Sequence, residues 1–204
     1  MGINTEAIPE GLKSRRQWVA FKLVARPGKK PTKKPINALT GGPASSSDPA
    51  DWADFDDALD AYLPGRCASI GYVFSPSDPY TGVDLDDCVR DGKIRRDALA
   101  AVTALGGYAE ISFSGTGLHA IVEARLPGRG RCDKKAGREI YDRGRYFTFT
   151  GNALQGLTRI APAQETITQF YSEWFKGQAS DHEDLPYQFD PEAEILDFPE
   201  IRGL

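Results

Sequence analysis

The chain has 204 residues, of which 40% are hydrophobic, and a formal net charge of −4; this is enough apolar material for one sizeable core. No apolar run approaches the roughly 20 residues that span a bilayer, and the N-terminus lacks an apolar signal segment, so we expect a cytoplasmic protein of a bacterium or phage-infected host, with no membrane partner. The three cysteines are far apart and lack C-x-x-C spacing, which predicts reduced thiols and neither disulfides nor a zinc site.

Charge is distributed unevenly along the chain. Residues 1–47 carry nine Lys or Arg against two acids, and residues 111–160 carry nine against four. Acids dominate residues 48–110, with thirteen against five bases, and residues 161–204, with ten against two. The two basic segments could line a groove for phosphates, although any one charged run is as typical of a solvated face.

The first half of the chain predicts a strand, a long loop and a helix. The strand covers residues 18–24, and the Pro- and Lys-rich residues 26–47 predict an unusually long loop. Asp48 and Pro49 are typical of a helix start. Behind them, apolar residues recur at the helical spacing that indicates core packing: Trp52, Phe55, Leu59 and Tyr62.

The second half predicts an alternation of strands and helices. Residues 68–74 and 80–86 are expected to form a strand pair joined by the turn 75–79. The remaining predicted elements, in chain order, are a helix over 95–105, a hairpin of 108–113 with 118–124, a basic loop over 125–137, strands at 139–141 and 146–150, and a helix between Pro162 and Gly177.

Two acids, Asp84 and Asp86, lie one residue apart within a predicted strand. A strand points alternate side chains to the same face, so both carboxylates project together. Like charges held side by side repel each other unless a cation lies between them, and carboxylate oxygens suit Mg²⁺ or Mn²⁺. The pair therefore predicts a divalent metal site.

A Gly-rich segment, residues 112–119, ends in a single histidine. Gly115 and Gly117 would let the backbone approach a phosphate closely, and the hydroxyl of Ser114 and a ring N–H of His119 could donate to its oxygens. The segment is not a Walker A loop, because no Gly-Lys-Ser/Thr follows. A purely structural hairpin turn gives the same pattern, so the segment alone leaves both interpretations open.

Taken in order, these motifs resemble the primase-polymerase domain of the archaeo-eukaryotic primase superfamily, in its phage and plasmid branch. The family has an acidic pair one residue apart on a strand, matched by Asp84 and Asp86, then a small residue shortly before a histidine, matched by residues 114–119. Its third motif is a single acid on a later strand, for which we choose Glu139, with Asp142 as a competitor and Asp87 as a lesser one within the first motif. The family usually has Asp at the third position.

The resemblance covers roughly residues 12–176 and implies an α/β (α+β) fold. In this primase fold an RRM-like mixed sheet carries the metal site and helices flank it. We expect residues 1–177 to form the catalytic domain, monomeric in isolation. Residues 178–204 are acidic and lack periodicity, which predicts a linker or docking segment. The resemblance implies that further domains, such as a superfamily 3 helicase, follow it.

The resemblance also implies template-directed DNA primase and polymerase activity in phage or plasmid replication, with a DNA template or primer and dNTP or NTP as partners. Asp84, Asp86 and Glu139 would be the catalytic ligands of two Mg²⁺ or Mn²⁺ ions. Ser114, Gly115, Gly117 and His119 would bind the nucleotide phosphates, with His119 as a donor and not a metal ligand. Arg145, Lys33 and Lys34 would contact triphosphate or template, or be solvated surface charges.

Two other functions fit the same residues. A single-stranded nucleic-acid binding module without turnover would use a sheet platform and the basic loops, but it gives no reason for Asp84 and Asp86 to share a face. A metal-dependent nuclease could use the same carboxylates. The Gly-rich segment with His119 favours a triphosphate over a scissile phosphodiester.

Overall fold

Two large antiparallel sheets and one two-stranded sheet organise residues 2–63 and 65–177, the part of the chain that the computed structural model describes. The four-stranded sheet has the order β11-β3-β1-β2, and the five-stranded sheet has the order β7-β8-β4-β10-β9. The strands are β1 Trp18–Arg26, β2 Lys29–Ile36, β3 Ser69–Val73, β4 Tyr80–Leu85, β5 Val89–Arg90, β6 Lys93–Ile94, β7 Tyr108–Ile111, β8 Leu118–Glu123, β9 Arg131–Asp133, β10 Arg138–Tyr141 and β11 Tyr146–Phe149. The α-helices are α1 Glu10–Lys13, α2 Phe55–Tyr62, α3 Arg96–Leu105 and α4 Gln164–Trp174, and short 3₁₀ turns lie at Thr5–Ala7 and Pro49–Asp51.

The five-stranded sheet buries one face against helices α3 and α4. Alternate strand residues point to this face, because the side-chain period of a strand is two. The core between sheet and helices is built from Val83, Leu85, Leu118, Ala120, Val122 and Ile140 of the strands with Ala98, Val102, Leu105, Ile167 and Phe170 of the helices. The residues between them in sequence therefore point to the opposite face.

Strand β11, an edge of the four-stranded sheet, lies against that opposite face. Phe147 and Phe149 of β11 join a buried aromatic core with Tyr72 of β3, Tyr108 of β7 and Ile121 of β8. The Phe149 ring stacks on Tyr108 with 5.9 Å between centroids. The two large sheets thus meet along β11, which covers polar side chains on this face of the five-stranded sheet.

The fold class is confirmed: the protein is mixed α and β, with curled antiparallel sheets and a few helices. The pairing is a correction, because every ladder between named strands is antiparallel and the sheets are not mixed. The expected hairpin is confirmed as β7 and β8, and α3 ends at Gly106 in the left-handed conformation, φ 64°. Residues 178–204, predicted to be an acidic linker, lie outside the described residues.

The long loop predicted over residues 26–47 is wrong, because β2 lies inside it and pairs with β1. Pro31 and Pro35 made the segment look irregular. Proline lacks an N–H for a ladder, but an edge strand tolerates it, and β2 is an edge of its sheet. The loop that remains begins only after Ile36.

The predicted pairing of residues 68–74 with 80–86 is also wrong, because β3 and β4 belong to different sheets. The buried Asp78 carboxylate redirects the chain between them. It accepts hydrogen bonds from the Ser75 and Tyr80 amides at 3.0 and 2.8 Å and from the Tyr72 hydroxyl at 3.2 Å. These hydrogen bonds stabilise the turn without any pairing between β3 and β4.

The apolar residues predicted to share one helix do not all lie in it, because Trp52 falls between a 3₁₀ turn and the helix that holds Phe55, Leu59 and Tyr62. Asp48 caps the 3₁₀ turn Pro49–Asp51 by accepting from the Ala50 amide, and α2 begins only at Phe55. Trp52 is nevertheless buried. No helix among the described residues combines the length and apolar character needed to cross a membrane.

Candidate active site

The face of the five-stranded sheet that packs against β11 carries a row of polar side chains. Asp84 on β4 lies directly opposite His119 on β8 and, on its other side, opposite Glu139 on β10. Directly opposite residues of an antiparallel ladder have their Cβ atoms about 4.5–5.5 Å apart. Three of the predicted site residues are therefore neighbours across three strands, although they are up to 55 positions apart in the sequence.

Asp84 is the most strongly perturbed carboxyl group of this row. Its side chain is only 22% exposed. Burial, with further contributions from the Asp86 and Glu139 carboxylates, raises its pKa from 3.8 to about 8, and the Lys33 ammonium opposes the shift. The repulsion expected for a crowded acidic pair is present at this position.

Asp86 lies just beyond the end of β4 and is exposed. Its amide donates to the Gly137 carbonyl at 2.9 Å, which joins it to the β9–β10 turn. On the other side, a Cβ added at Gly117 would lie 2.8 Å from the Leu85 carbonyl, so the Gly-rich turn packs closely beside this strand end. Partial desolvation raises the pKa of Asp86, although its side chain reaches solvent, and Glu139 and Asp87 add to the shift.

The structure separates the two candidates for the third acid. Glu139 lies on the Asp84 face and accepts a hydrogen bond from the Cys132 thiol at 3.2 Å. Asp142 is fully buried elsewhere, where it pairs with Arg143 at 2.9 Å and accepts from the Leu126 amide at 3.2 Å. Asp142 is thus committed to structural contacts, and Glu139 is the acid that accompanies Asp84. Asp87, the lesser candidate, points to solvent and pairs with Lys30 at 3.0 Å.

The carboxylates are neighbours but do not form a closed coordination sphere. Across residues 2–63 and 65–177, no group of three or more His, Cys, Asp or Glu side chains is arranged so that it could hold a metal ion as it stands. The Cys132 thiol, which holds Glu139 towards β9, gives one reason. The donor set nonetheless fits Mg²⁺ or Mn²⁺ in chemistry, because its ligands are hard oxygens, and because burial and then neighbouring carboxylates raise the pKa values of Asp84 and Asp86.

His119 is buried and held by two contacts from β11. Its Nδ1 lies 3.0 Å from the Thr148 carbonyl oxygen, and its ring stacks on Phe147 with 4.8 Å between centroids. A carbonyl oxygen can only accept, so Nδ1 carries the proton. Burial, helped by the Lys33 ammonium, lowers the pKa of His119 to about 3, so the ring is neutral and its Nε2, 3.7 Å from Asp84, carries a lone pair.

The Gly-rich turn between β7 and β8 presents hydroxyl groups to solvent. Ser114 is exposed, and its Oγ lies 3.1 Å from Ser112 Oγ and 3.0 Å from Thr116 Oγ1. Gly115 has φ +76°, a conformation that side-chain-bearing residues rarely adopt. The turn therefore places a chain of hydroxyls next to Asp86, at the same end of the sheet as the acids.

Lys33 and Lys34 point to opposite faces of β2. Lys33 lies opposite Leu23, and its ammonium reaches Thr148 Oγ1 at 3.4 Å and the Phe113 ring at 5.7 Å. Burial lowers the pKa of Lys33, while the carboxylates of Asp84, Asp86 and Glu110 act in the opposite direction. Lys34 lies opposite Lys22 on the other face and is buried there. Only Lys33 of the two is brought to the acids.

The Tyr141 side chain lies between Arg145 and the acids. Its guanidinium is 5.1 Å from the Tyr141 ring centroid, and Tyr141 is two residues from Glu139 on the same strand face. The pKa of Tyr141 is raised by burial and by Glu139, and Arg145 opposes the shift. Arg145 thus borders the site through Tyr141.

One member of the row was missed by sequence reasoning. Glu110 on β7 lies directly opposite His119 and is 0% exposed. The signal was available, because Glu110 alternates with Tyr108 in a predicted strand and must share its face. An acid at an inward position of a strand is rare unless it is paired, which marks Glu110 as a candidate site residue.

No family model matches the chain. Over 163 residues, the chain is 32% identical to a DNA Primase-polymerase of Nitratiruptor phage NrS-1. The resemblance to phage primase-polymerase domains is confirmed. The aligned region is 77% of this chain, but the chain spans only 22% of the length of that primase-polymerase.

The three cysteines, all within the described residues, are unpaired. This agrees with the prediction of free thiols.

Proposed function

We propose that this domain catalyses template-directed nucleotidyl transfer as a DNA primase and polymerase in phage or plasmid replication. One observation carries the proposal: Asp84, Asp86 and Glu139 lie at one end of a sheet, next to His119 and a Gly-rich turn. The similarity to a phage DNA Primase-polymerase supports the same reaction. The substrates are a nucleoside triphosphate and a DNA template with or without a primer.

The three carboxylates would hold two divalent cations, Mg²⁺ or Mn²⁺. When bound, such ions activate the attacking hydroxyl and neutralise charge on the triphosphate. The contribution of the chain is to supply hard oxygen ligands from β4, from the residue just after it and from the adjacent strand β10. Asp84 must lose its proton to serve as a ligand, and Glu139 must turn from the Cys132 thiol.

The Gly-rich turn, His119 and Lys33 would bind the triphosphate. The hydroxyls of Ser114 and Thr116 are exposed beside Asp86 and can exchange their mutual hydrogen bond for phosphate oxygens. Lys33 already lies among the acids and offers three N–H donors. The arrangement positions the triphosphate and offsets its charge, which is the main task of a phosphoryl-transfer site.

His119 can donate to a phosphate only after Nε2 takes up a proton, since Nδ1–H is already directed at Thr148. A triphosphate brings negative charge close to the ring, and a nearby negative charge favours the imidazolium. The Thr148 carbonyl also favours the charged form. Proton uptake at Nε2 would therefore accompany nucleotide binding.

Basic residues border the acids on two sides and would hold the nucleic acid. Lys30 of β2 lies beside Asp87, and Lys134 and Lys135, which are exposed, lie in the β9–β10 turn next to Asp86. Contacts of this type neutralise backbone phosphates without reading sequence. We expect template binding to weaken steeply as salt is raised.

The test is incubation with labelled dNTP or NTP, Mg²⁺ or Mn²⁺ and a primed template. We expect primer extension, lost in Asp84→Ala and Asp86→Ala. Asp87→Asn is the matched control: it removes an adjacent exposed carboxylate, and Asn tolerates the left-handed φ of 46° at this position. It should extend primers as the wild type does.

Each other outcome has a distinct meaning. Shortening of the primer that depends on Asp84 would establish a nuclease in place of a polymerase. Binding of single-stranded DNA without any change in its length, with every metal and nucleotide tried, would establish a binding module. Equal loss of extension in Asp87→Asn would show that general loss of acidic charge, and not the Asp84 site, is responsible.

A further inference from the structure

Glu110 is a fully buried acid with a complete set of hydrogen-bond donors. Its Oε2 accepts from the Tyr108 hydroxyl at 2.7 Å and from the Gly151 amide at 2.8 Å. The Thr150 amide lies 3.0 Å from Oε1 and 3.2 Å from Oε2. Burying a carboxylate lowers the stability of the folded protein unless hydrogen bonds satisfy it in this way. The presence of a buried acid at this position therefore calls for an explanation.

The two amides lie just after β11, the strand that contacts His119. Thr150 and Gly151 directly follow β11, whose Thr148 carbonyl and Phe147 ring make the two contacts to the imidazole. Glu110 itself lies beside His119 on the adjacent strand. It therefore ties the end of β11 to the same sheet from which His119 projects.

We propose that Glu110 is a positioning residue for His119. By fixing the end of β11, it holds the Thr148 carbonyl against Nδ1 and so sets both the ring orientation and the tautomer. Nε2 is then left facing Asp84, where the phosphates would lie. The inference rests on the proposed function for its role in turnover, but the effect on the ring exists without any substrate.

The choice of a carboxylate follows from the donors it meets. Every partner of Glu110 donates, and a carboxylate is an acceptor at both oxygens. A glutamine has nearly the same shape, but its NH₂ group would face an N–H or O–H and leave a buried donor unpaired. Glu110→Gln therefore changes hydrogen bonding at the end of β11 with little change in volume.

The first measurement is the imidazole ¹⁵N spectrum of the complete chain without nucleotide. The chain has two histidines, so His119→Ala identifies the signals of His119. The wild type should show the Nδ1-protonated tautomer, because the hydrogen bond made by one ring nitrogen fixes the proton on it. Glu110→Gln should lose this signature in favour of a mixture of tautomers.

Thr150→Val is the matched control. It removes the Thr150 hydroxyl, which donates to the Ile111 carbonyl at 3.1 Å, but it keeps the backbone amide that Glu110 binds. This variant should keep the wild-type His119 spectrum. If it loses the signature to the same degree as Glu110→Gln, general loosening of this corner explains the effect and the inference fails.

The second measurement is nucleotide incorporation. Glu110→Gln should lower kcat/KM for nucleotide by roughly 10–100-fold, the range typical of residues that orient a functional group. The double variant Glu110→Gln/His119→Ala should be no worse than His119→Ala, because residues that act through one another are not additive. Additive losses would overturn the inference.

The outcomes distinguish this inference from the proposed function. If the wild type extends no primer but Glu110→Gln changes the His119 tautomer, the positioning role holds and the polymerase proposal falls. If extension depends on Asp84 but the His119 spectrum is the same in Glu110→Gln, the positioning role is wrong. Should Glu110→Gln fail to fold, Glu110→Asp is measured in the same way, since its shorter side chain keeps the charge but retracts from the amides. Failure of both to fold would show that Glu110 stabilises the domain as a whole, which overturns the inference.

Discussion

Replacing Asp84 by Asn should remove a pH-dependent loss of stability from the metal-free protein. The folded protein raises the pKa of Asp84 from 3.8 to about 8. An acid whose pKa is raised on folding favours the folded state most at pH values below its unfolded pKa. Its contribution then falls as the pH rises towards the folded pKa, because only the unfolded chain has released the proton. Asn does not titrate, so the variant lacks this dependence.

The size of this stability loss follows from the number of pH units over which the folded and unfolded states differ by one proton. Between pH 6 and pH 8 the unfolded chain carries Asp84 ionised, whereas the folded protein keeps most of the proton. Each pH unit with a difference of one proton changes the free energy of unfolding by about 1.4 kcal/mol. Titration near pH 8 reduces the total, so the wild type should lose about 2 kcal/mol relative to Asp84→Asn, or roughly 4–8 °C in Tm.

The assay is thermal unfolding in chelator-treated buffer at pH 6 and pH 8, with the Tm of Asp84→Asn subtracted from that of the wild type. Glu110 and His119 also have shifted pKa values, but both are present in both proteins and cancel in this difference. Asp87→Asn should follow the wild type at each pH. A wild-type minus Asp84→Asn difference that stays constant between pH 6 and pH 8 would show that folding leaves Asp84 ionised, and would refute the reasoning from crowded carboxylates.

Three further outcomes follow from the site. Asp86→Ala should abolish primer extension without lowering Tm, because the side chain is exposed and its removal relieves repulsion; unfolding of the variant would instead point to a structural role. His119→Ala should raise KM for nucleotide and lower kcat while template binding, followed by fluorescence anisotropy, stays unchanged; loss of template binding with nucleotide affinity intact would place His119 in the nucleic-acid groove. Cys132→Ala should strengthen Mn²⁺ binding, measured by calorimetry, by about fivefold or less, since it removes the weak hydrogen bond that Glu139 must break to become a ligand; Cys132→Ser keeps a donor and should bind as the wild type does, and weaker binding by Cys132→Ala would contradict the view that the thiol competes with the metal for Glu139.

The sequence was sufficient where a local rule decides the outcome. Strand alternation alone separates Asp84 from the core residues Val83 and Leu85, whereas Asp86 lies just beyond β4, where alternation no longer decides its side. Gly106 at the end of α3 follows from helix termination. The choice between Glu139 and Asp142 is different in kind. It depends on which strand lies next to β4 and in which register, and the β10 ladder puts Glu139 opposite Asp84. Long-range pairing of this kind leaves no mark in the local pattern.

Strand β2 shows why other predictions from the sequence, such as the long loop over residues 26–47, were wrong. Its prolines contradict a central strand, and only the knowledge that it lies at an edge makes them acceptable. Once β2 exists, its register with β1 decides that Lys33, and not Lys34, reaches the acids. Glu110 could have been found from alternation with Tyr108, but its role depends on the position of β11, which is set by tertiary packing.

The sequence distances within the site also bear on its assembly during synthesis. Asp84 emerges from the ribosome long before Glu139, and the Lys33 ammonium meets its Thr148 partner across 115 positions. Non-local pairs of this kind form late, because the intervening chain must be ordered first. A nascent chain that ends before β11 would hold Asp84 and Asp86 without the strand that encloses His119. Under the proposed function, synthesis of β11 is therefore the step at which we expect a growing chain first to become able to bind a nucleotide.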